Sequence, residues 1–193
     1  MMGARLRTES QDARARIISA GARCLVRDGV AAATMAAIAA EGGVSKALLH
    51  YHFADRAGLL AEVVIALGRG LVAREQAALE PGVPGGPVDL LWKWLHAELE
   101  RGELRAFLAL DAVREEPVRR ALALIGQARR AAATTTVERV FTRLDLAPRV
   151  PADLIGDTVV AFTDGLALNG EYGLRDPRVR FDVFWLAMLC LGE

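Results

Sequence analysis

Hydrophobic residues recur at intervals of three and four along most of the chain, which is the spacing of amphipathic α-helices. In the stretch 59–71, for example, leucine or valine occupies positions 59, 60, 63, 64, 67 and 71. The alternation of apolar and polar residues that marks half-buried strands is not found. The pattern therefore predicts an all-α protein.

Prolines and glycines divide this pattern into elements. The seven prolines lie at positions 81, 84, 87, 117, 148, 151 and 177, where the helical spacing lapses, because proline inside a helix removes a hydrogen bond and clashes with the preceding turn. Ser10 is a candidate N-cap of the first helix, and Gly29 is placed to end it. The predicted helices run at about 10–28, 35–42, 46–52, 55–79, 88–101, 104–114, 117–144, 152–172 and 178–191.

Two of these helices are short and are joined by a tight turn that contains glycine, within residues 34–53. This is the spacing of a helix-turn-helix, in which Ile38 and Val44 would pack the two helices together and Ala39 would let them approach closely. The second helix of such a unit presents its outer side to a major groove of DNA. The outer residues are Ser45, Lys46, Ala47, Leu48, His50, Tyr51 and His52.

Charge is balanced over the whole chain, with 24 Lys and Arg against 24 Asp and Glu in 193 residues. No overall field therefore draws the protein to nucleic acid or to a membrane, and any such binding has to be local. Between Glu41 and Asp55 the sequence has Lys46 and two histidines but no acidic residue. The second helix of the pair therefore carries a local positive potential.

The order of residues from 15 to 60 resembles, without a gap, the N-terminal DNA-binding domain of the TetR family of bacterial transcription regulators. The matching positions are Ile17, Ala20, Gly29, Thr34, Ile38, Ala39, the turn 43–46, Leu49, the cluster 50–53, Leu59 and Leu60. The resemblance implies a three-helix helix-turn-helix domain over residues 1–60. It also implies a larger helical ligand-binding and dimerisation domain over residues 61–193.

The resemblance further implies a homodimer whose two recognition helices enter successive major grooves of double-stranded DNA, ~34 Å apart. Thr34 would cap the second helix and bind a phosphate, and Arg56 would grip the DNA backbone. Residues that fall where the family contacts base edges or adjacent backbone are Ser45, Lys46, Ala47 and Leu48. Residues on the aromatic, phosphate-contacting stretch of the family are His50, Tyr51 and His52.

Beyond about residue 61 the chain shows no family-level motif. In TetR-like proteins this region holds a pocket for a small-molecule effector, together with the dimer interface. A mostly apolar pocket uses aromatic side chains with a few polar groups, and the candidates are Trp92 with His96, Phe107 with Asp111, and Phe162 with Asp164 and Asn169. The alternative for each is an ordinary core aromatic beside an exposed polar neighbour.

The last two predicted helices are apolar around most of their circumference, so they require cover on several sides. A second subunit would supply it through a four-helix interface. The alternative is a terminal helix pair buried in the core of its own chain.

Together these features predict a ligand-responsive, sequence-specific DNA-binding regulator. It would be a repressor that binds a palindromic operator as a homodimer and is released by a small-molecule effector. The main alternative is a pocket-bearing helical dimer with vestigial DNA binding, because Ala36 and Ala37 stand where the family commonly has a basic and an acidic residue. An enzyme is not predicted, since the sequence has no G-x-S-x-G, H-E-x-x-H or P-loop motif.

No cofactor or metal site is predicted. His50 and His52 are two residues apart and do not share a helix face, and no third ligand is near them in the sequence. The apolar run 183–191 is far shorter than the ~18 residues that a membrane span needs. No apolar stretch follows the charged N-terminus as it would in a secretory signal, so a cytoplasmic protein without a membrane partner is expected.

Overall fold

The computed structural model describes the backbone of residues 2–169 and 176–193 and the side chains from residue 10 onward. The described residues form helices joined by short turns, without a β-strand among them. The helices are α1 Met2–Ala32, α2 Met35–Glu41, α3 Lys46–His52, α4 Arg56–Ala78, α5 Pro87–Arg101, α6 Glu103–Ala109, α7 Glu116–Arg143, α8 Ala152–Leu168 and α9 Pro177–Leu189. The predicted all-α class is confirmed.

The start predicted for the first helix is wrong. α1 begins at Met2, and Ser10 lies within it instead of capping it. Residues 2–9 contain no proline, and serine inside a helix costs less than about 1 kcal/mol relative to alanine, so nothing stops the helix from extending past Ser10. The regular helix breaks at Gly29 as predicted, because this residue has a non-helical backbone with φ 78° and ψ 176°, a conformation open to glycine, and a short helical stretch follows the kink as far as Ala32.

The single helix predicted at 104–114 is also wrong. α6 ends at Ala109 and is followed by a 3-10 turn, Leu110–Ala112, after which Val113 is extended. Proline is accepted only in the first turn of a helix, so the chain must leave one helix before Pro117 can enter α7. The helix predicted at 152–172 ends at Leu168, and residues 170–172 lie outside the described part of the chain.

The chain divides into two compact units. Unit 1 contains the residues up to 67 together with 106–124, and unit 2 contains 68–105 together with 125–193. In unit 1 a Cβ atom at Gly21 would lie 2.8 Å from Val63 Cγ2, so α1 and α4 approach closely there. The core of its first four helices includes Ile17, Ala20, Cys24, Ile38, Leu49, Phe53, Leu59, Leu60, Val63 and Val64.

Unit 2 packs the rest of α4 with α5, most of α7, α8 and α9 around an aromatic and aliphatic core. Its fully buried members include Leu79, Leu91, Leu95, Val137, Val140, Phe141, Ile155, Phe181 and Trp185. α7 and α8 approach closely at Gly156, where a Cβ atom would lie 2.8 Å from the Thr134 nitrogen. Large hydrophobic side chains nevertheless remain exposed on α8 and α9, namely Leu154, Leu168, Val179, Val183 and Leu186.

Candidate nucleic-acid interface

The two short helices of unit 1 both start at side-chain caps. The Thr34 hydroxyl oxygen accepts a hydrogen bond from the Ala37 N–H at 3.2 Å and so caps α2. The Ser45 hydroxyl oxygen accepts from the Leu48 N–H at 3.1 Å and so caps α3. These caps satisfy backbone donors that a helix start leaves without a partner. Both predicted starts are confirmed.

The turn between α2 and α3 fixes the angle at which the helices meet. Gly43 has a φ of 60°, in the left-handed region that favours glycine. The next residue, Val44, donates its N–H to the Ala39 carbonyl at 3.0 Å. Ile38 and Leu49 are buried, at 0% and 1% exposure. Because these contacts hold one side of α3 against the core, its opposite side must face outward.

The outward side of α3 carries most of the residues that the sequence predicted there. Ser45, Lys46, Ala47, His50 and Tyr51 are exposed, whereas Leu48 and His52 are half-buried. Thr34, at the start of α2, is exposed as well. A shallow apolar groove runs beside this row of residues and is lined by Met35, Ala36, Lys46, Leu49 and His50.

Tyr51 and His52 form the aromatic end of α3. The Tyr51 side chain is 78% exposed, and its ring meets the His52 ring edge-on at a centroid distance of 5.1 Å. The Nε2 atom of His52 is buried and has no hydrogen-bond partner among the described residues. The next residue, Phe53, is a core residue at 5% exposure, with the Arg14 guanidinium 5.4 Å from its ring centroid.

Arg56 is half-buried and bonded within unit 1. Its Nε donates to the Ala33 carbonyl at 2.9 Å, and its Nη2 donates to the Val30 carbonyl. The Val30 carbonyl belongs to the last turn of α1, after the kink at Gly29, and the Ala33 carbonyl to the connection that leads into α2. Asp55 caps α4, since its carboxylate accepts from the Gly58 N–H at 2.7 Å. The Arg56 guanidinium is therefore directed by the start of α4 toward the residues that precede Thr34.

The acidic residue before α3 is neutralised by α1. Arg23 Nε lies 2.7 Å from one carboxylate oxygen of Glu41, and Arg27 Nη1 lies 2.8 Å from the other. The hydrogen bond from Arg23, which has the largest effect, and the one from Arg27 hold the pKa of the Glu41 carboxyl below its ordinary value. The negative charge of Glu41 is thus offset, and the exposed Lys46 ammonium keeps its positive field.

In unit 2, two of the predicted ligand residues touch each other. The rings of Trp92 and His96 stack with centroids 5.4 Å apart, as their four-residue spacing on α5 allows. Phe181 packs against the same indole at 5.3 Å. The Arg178 guanidinium lies 5.5 Å from its ring centroid and pairs with Asp89 at 2.9 Å.

The three candidates on α8 and at its C-terminal cap have separate surroundings. The Phe162 ring stacks on Phe184 at 4.0 Å. Asp164 forms two hydrogen bonds with the Arg129 guanidinium. Asn169 donates its side-chain amide to the Gly165 carbonyl at 2.6 Å and closes the end of the helix.

The remaining pair, Phe107 and Asp111, belongs to unit 1. Phe107 is 5% exposed on α6, whereas Asp111 is exposed in the 3-10 turn that follows. The two therefore do not share the regular helix face that the sequence predicted, because the helix tightens between them.

A buried polar cluster in unit 2 was not predicted from the sequence. Glu75 is 6% exposed and accepts a hydrogen bond from the Thr136 hydroxyl at 2.9 Å. Burial raises the pKa of the Glu75 carboxyl to about 7, while the Thr136 bond and the charge of Arg129 act to lower it. The signal in the sequence is the threonine run 134–136, since polar β-branched residues inside a long helix are costly without a partner.

Within the described residues, no group of three or more His, Cys, Asp or Glu side chains is arranged to hold a metal ion. The helices that the structure describes include none that is both long and apolar enough to cross a membrane.

Comparison with known proteins identifies a family model that matches the helix-turn-helix region and a relative that matches most of the chain. The family model described as bacterial regulatory proteins, tetR family, matches residues 17–63. The HTH-type transcriptional regulator BetI of Agrobacterium fabrum is 30% identical over 160 residues, which cover 79% of this chain and 74% of BetI.

Solved structures share the fold over nearly the whole chain. A TetR-family transcriptional regulator from Rhodococcus sp. superposes with a TM-score of 0.72 and 22% identity, covering 93% of this chain and 98% of that one. The multidrug binding protein EbrR, solved in complex with imidazole, superposes with a TM-score of 0.60 and 19% identity, covering 91% and 94%. At these identities the likeness shows a common fold.

A capped helix-turn-helix near the N-terminus, followed by a larger helical region, defines a class of helical DNA-binding regulators. The chain belongs to the TetR family of bacterial transcription regulators. The resemblance seen in the sequence is confirmed.

Proposed function

We propose that the protein is a repressor that binds a palindromic operator in double-stranded DNA as a homodimer and is released by a small-molecule effector. The observation that carries this proposal is the exposed row of Lys46, Ala47, His50 and Tyr51 on α3, opposite the buried Leu49. In a helix-turn-helix this side of the second helix lies in the major groove. The protein would act in the cytoplasm and would have no enzymatic activity.

The base-reading part of the interface is the first turn of α3. Lys46 is a donor to guanine edges or to phosphate, and the Ser45 hydroxyl can serve as a hydrogen-bonding group at a base edge or at a phosphate. Ala47 and Leu48 offer apolar contact, such as contact with a thymine methyl group. Two apolar side chains beside one lysine indicate that thymine methyl groups contribute much of the discrimination between operators.

The phosphate-contacting part consists of Thr34, His50, Tyr51 and His52. The Thr34 oxygen accepts from the backbone as a cap, so its hydroxyl hydrogen is available to donate to a phosphate. The exposed Tyr51 phenol and the His50 imidazole donate in the same way. His52 contributes through the Nδ1 side of its ring, since Nε2 is buried.

The exposed apolar residues of α8 and α9 support the homodimer. Val183 and Leu186 are 63% and 68% exposed and lie three residues apart on one face of α9. An exposed patch of this kind marks an interaction site, and a two-fold interface buries the same patch on both subunits. The dimer would place its two copies of α3 in half-sites one helical turn apart, ~34 Å.

The aromatic and polar residues of the C-terminal region support an effector site. The residues proposed to contact the effector are the candidates that lie in unit 2, namely Trp92, His96, Phe162, Asp164 and Asn169, and the structurally similar EbrR is named as multidrug binding. Effector binding would favour a dimer state in which α4 has moved and the recognition helices have left one-turn spacing. Effector and DNA would then weaken each other's binding by the same factor.

A second candidate is a ligand-binding dimer with vestigial DNA binding. The observation that favours it is the apolar character of α2, where Ala36 lines the groove beside α3 and Ala37 follows. Neither side chain can contact a phosphate through a charge or a hydrogen bond. The two candidates differ in one property, namely whether the protein prefers one DNA sequence over others.

Selection of bound duplexes from a random DNA pool, at near-physiological salt so that nonspecific phosphate contacts are weak, tests the proposal. The expected result is enrichment of a palindrome with half-sites about one helical turn apart. A folded, dimeric protein that enriches no sequence would favour the vestigial candidate. Repeating the selection with Lys46→Ala, and with Lys93→Ala as a control at the only other lysine, would assign the enrichment to α3.

A further inference from the structure

Arg56 joins the start of α4 to the end of α1 and to the residue that follows it. Its Nε and Nη2 donate to the carbonyls of Ala33 and Val30, three residues apart in the chain. The side chain is half-buried, and both acceptors are neutral backbone groups. Hydrogen bonds from a charged donor are stronger than those between neutral groups, so this contact firmly holds the short stretch after the Gly29 kink, where α1 ends at Ala32 and the chain turns into α2.

The bond to Ala33 determines the orientation of the next residue. The carbonyl of Ala33 and the N–H and Cα of Thr34 belong to one planar peptide unit. A hydrogen bond that fixes the direction of this carbonyl therefore also fixes the peptide plane to which the Cα of Thr34 is attached, and so restrains the direction of the Thr34 side chain. Thr34 N–H also donates to the Ala32 carbonyl at 2.8 Å, which tightens the same turn. The chain enters this turn just after Gly29, whose non-helical φ ends the regular part of α1.

We propose that Arg56 is a positioning residue for operator binding: it holds residues 30–33 so that the Thr34 hydroxyl faces a phosphate, and it does not itself neutralise one. This inference rests on the proposed function, in which Thr34 contacts the DNA backbone. It differs from the role implied by the family resemblance, in which a basic residue at this position grips DNA directly. The difference arises because two nitrogens of the Arg56 guanidinium, Nε and Nη2, donate to protein carbonyls, so the plane of the guanidinium is held against the backbone that precedes Thr34.

The two roles differ in how DNA affinity responds to salt. Each phosphate that a protein cation neutralises adds ~0.9 to the magnitude of the slope of log K against log salt concentration. If Arg56 contacted a phosphate directly, its replacement by an uncharged residue would reduce the magnitude of this slope by ~2 in a dimer, which carries two copies of Arg56. A positioning residue leaves this slope unchanged. The roles also differ in their tolerance of lysine, because lysine keeps the charge but lacks the planar fork that spans two carbonyls.

The test measures the affinity of the full-length protein for its selected operator over a series of salt concentrations. The variants are Arg56→Gln, Arg56→Lys and Thr34→Ala, with the double variant Arg56→Gln/Thr34→Ala. Arg119→Gln, which removes an exposed charge on α7, is the matched control. Thermal unfolding of each variant reports whether the fold is retained, and Arg56→Lys covers the case in which Arg56→Gln unfolds.

The expected result is that Arg56→Gln and Arg56→Lys each weaken binding by roughly tenfold, as loss of a charge-assisted hydrogen bond would, with an unchanged salt slope. Arg56→Gln should cost little further affinity once Thr34 is alanine, because the two residues act through one contact. A slope reduced by ~2 with full rescue by lysine would overturn the proposal, as would an unaltered affinity in both Arg56 variants. A wild-type protein without sequence preference would instead overturn the proposed function, and this role with it.

Discussion

The hydroxyl of Thr136 donates to the carboxylate of Glu75 at 2.9 Å, and this bond joins α7 to α4 inside unit 2. Glu75 is 6% exposed, so its charged form has lost most of its hydration. One hydroxyl and the charge of Arg129 do not replace that hydration, and the pKa of the carboxyl rises to about 7. Glu75 therefore makes the stability of the protein depend on pH.

We predict that wild-type stability falls as pH rises from about 4.5 to about 7 by an amount that Glu75→Gln abolishes. Because the folded-state pKa of Glu75 is raised from 4.5 to about 7, the native state binds the proton more tightly than the unfolded state over this window. This stabilisation by the proton on Glu75 is fully present below the pKa of the carboxyl in the unfolded state, and it is lost as the pH rises through the pKa in the folded state. It amounts to about 3 kcal/mol at most, since a tenfold change in proton affinity is worth about 1.4 kcal/mol.

Denaturant unfolding of both proteins between about pH 4 and pH 8 measures this difference. Glutamine keeps an oxygen that accepts from Thr136, so the variant should be the more stable protein at about pH 8. Glu138→Gln, at an exposed glutamate of α7, is the control and should follow the wild-type curve. Parallel curves for wild type and Glu75→Gln would show that the buried carboxyl does not titrate in this range.

Gly68 and Ile125 set the distance between α4 and α7 in unit 2. A Cβ atom at Gly68 would lie 2.1 Å from Ile125 Cγ2, and Ile125 is 2% exposed. We predict that Gly68→Ala destabilises the protein by about 1–3 kcal/mol, because the isoleucine cannot move away without straining a packed core. Chemical denaturation measures the loss of unfolding free energy.

Gly165→Ala is the matched control for this substitution. Gly165 also lies within a helix, α8, but among the described residues no atom outside the backbone of that helix lies within 4 Å of its Cβ position. Alanine there should stabilise the protein by about 0.5–1 kcal/mol through its higher helix propensity. In an Ile125→Ala background, Gly68→Ala should lower the free energy of unfolding by less than it does alone, because alanine at position 125 lacks the two clashing carbons, Cγ1 and Cγ2. Equal effects at Gly68 and Gly165 would mean that α4 and α7 are not in tight contact.

Val183 and Leu186 test the proposed dimer interface. We predict that Val183→Asp/Leu186→Asp makes the protein monomeric at concentrations where the wild type is dimeric, because it buries carboxylates against the same patch of the partner. Analytical ultracentrifugation measures the mass. Leu124→Asp changes another exposed leucine, 52% exposed on α7, and should leave the mass unchanged. A double variant that stays dimeric would exclude this face of α9 as the interface.

Substitutions of Thr34 can distinguish its role as a helix cap from its proposed contact with DNA. Aspartate caps a helix as well as threonine does, but it would place a negative charge against a phosphate. We predict that Thr34→Asp keeps its thermal stability and loses at least ~tenfold in operator affinity, whereas Thr34→Ser keeps both. Fluorescence anisotropy of labelled operator measures the affinity. Equal affinities of the Asp and Ser variants would show that Thr34 does not approach the DNA backbone.

The helix-turn-helix was predictable because its determinants are local. Thr34, Ser45 and Gly43 each act within four residues of their own position, through caps and a turn that the sequence displays. The stacking of Trp92 on His96 follows from their spacing on one helix in the same way.

The features that escaped prediction depend on residues far apart in the chain. Arg56 bonds to carbonyls 23 and 26 residues earlier, and Glu75 meets Thr136 across 61 residues. A pattern of apolar positions shows which side of a helix is buried but not which polar group of another helix it meets. The start of α1 at Met2 was not predicted for a different reason, because a serine such as Ser10 is found both at helix caps and inside helices.

The central claim is that the outward side of α3 binds a specific DNA sequence, and the affinity of three variants for the selected operator tests it most directly. Lys46 and Tyr51 are exposed, so Lys46→Ala and Tyr51→Ala should leave the fold intact. Each should weaken binding by roughly tenfold or more through lost base and phosphate contacts, while Lys93→Ala on α5 should bind as the wild type does. Unchanged affinity in both α3 variants would contradict the account.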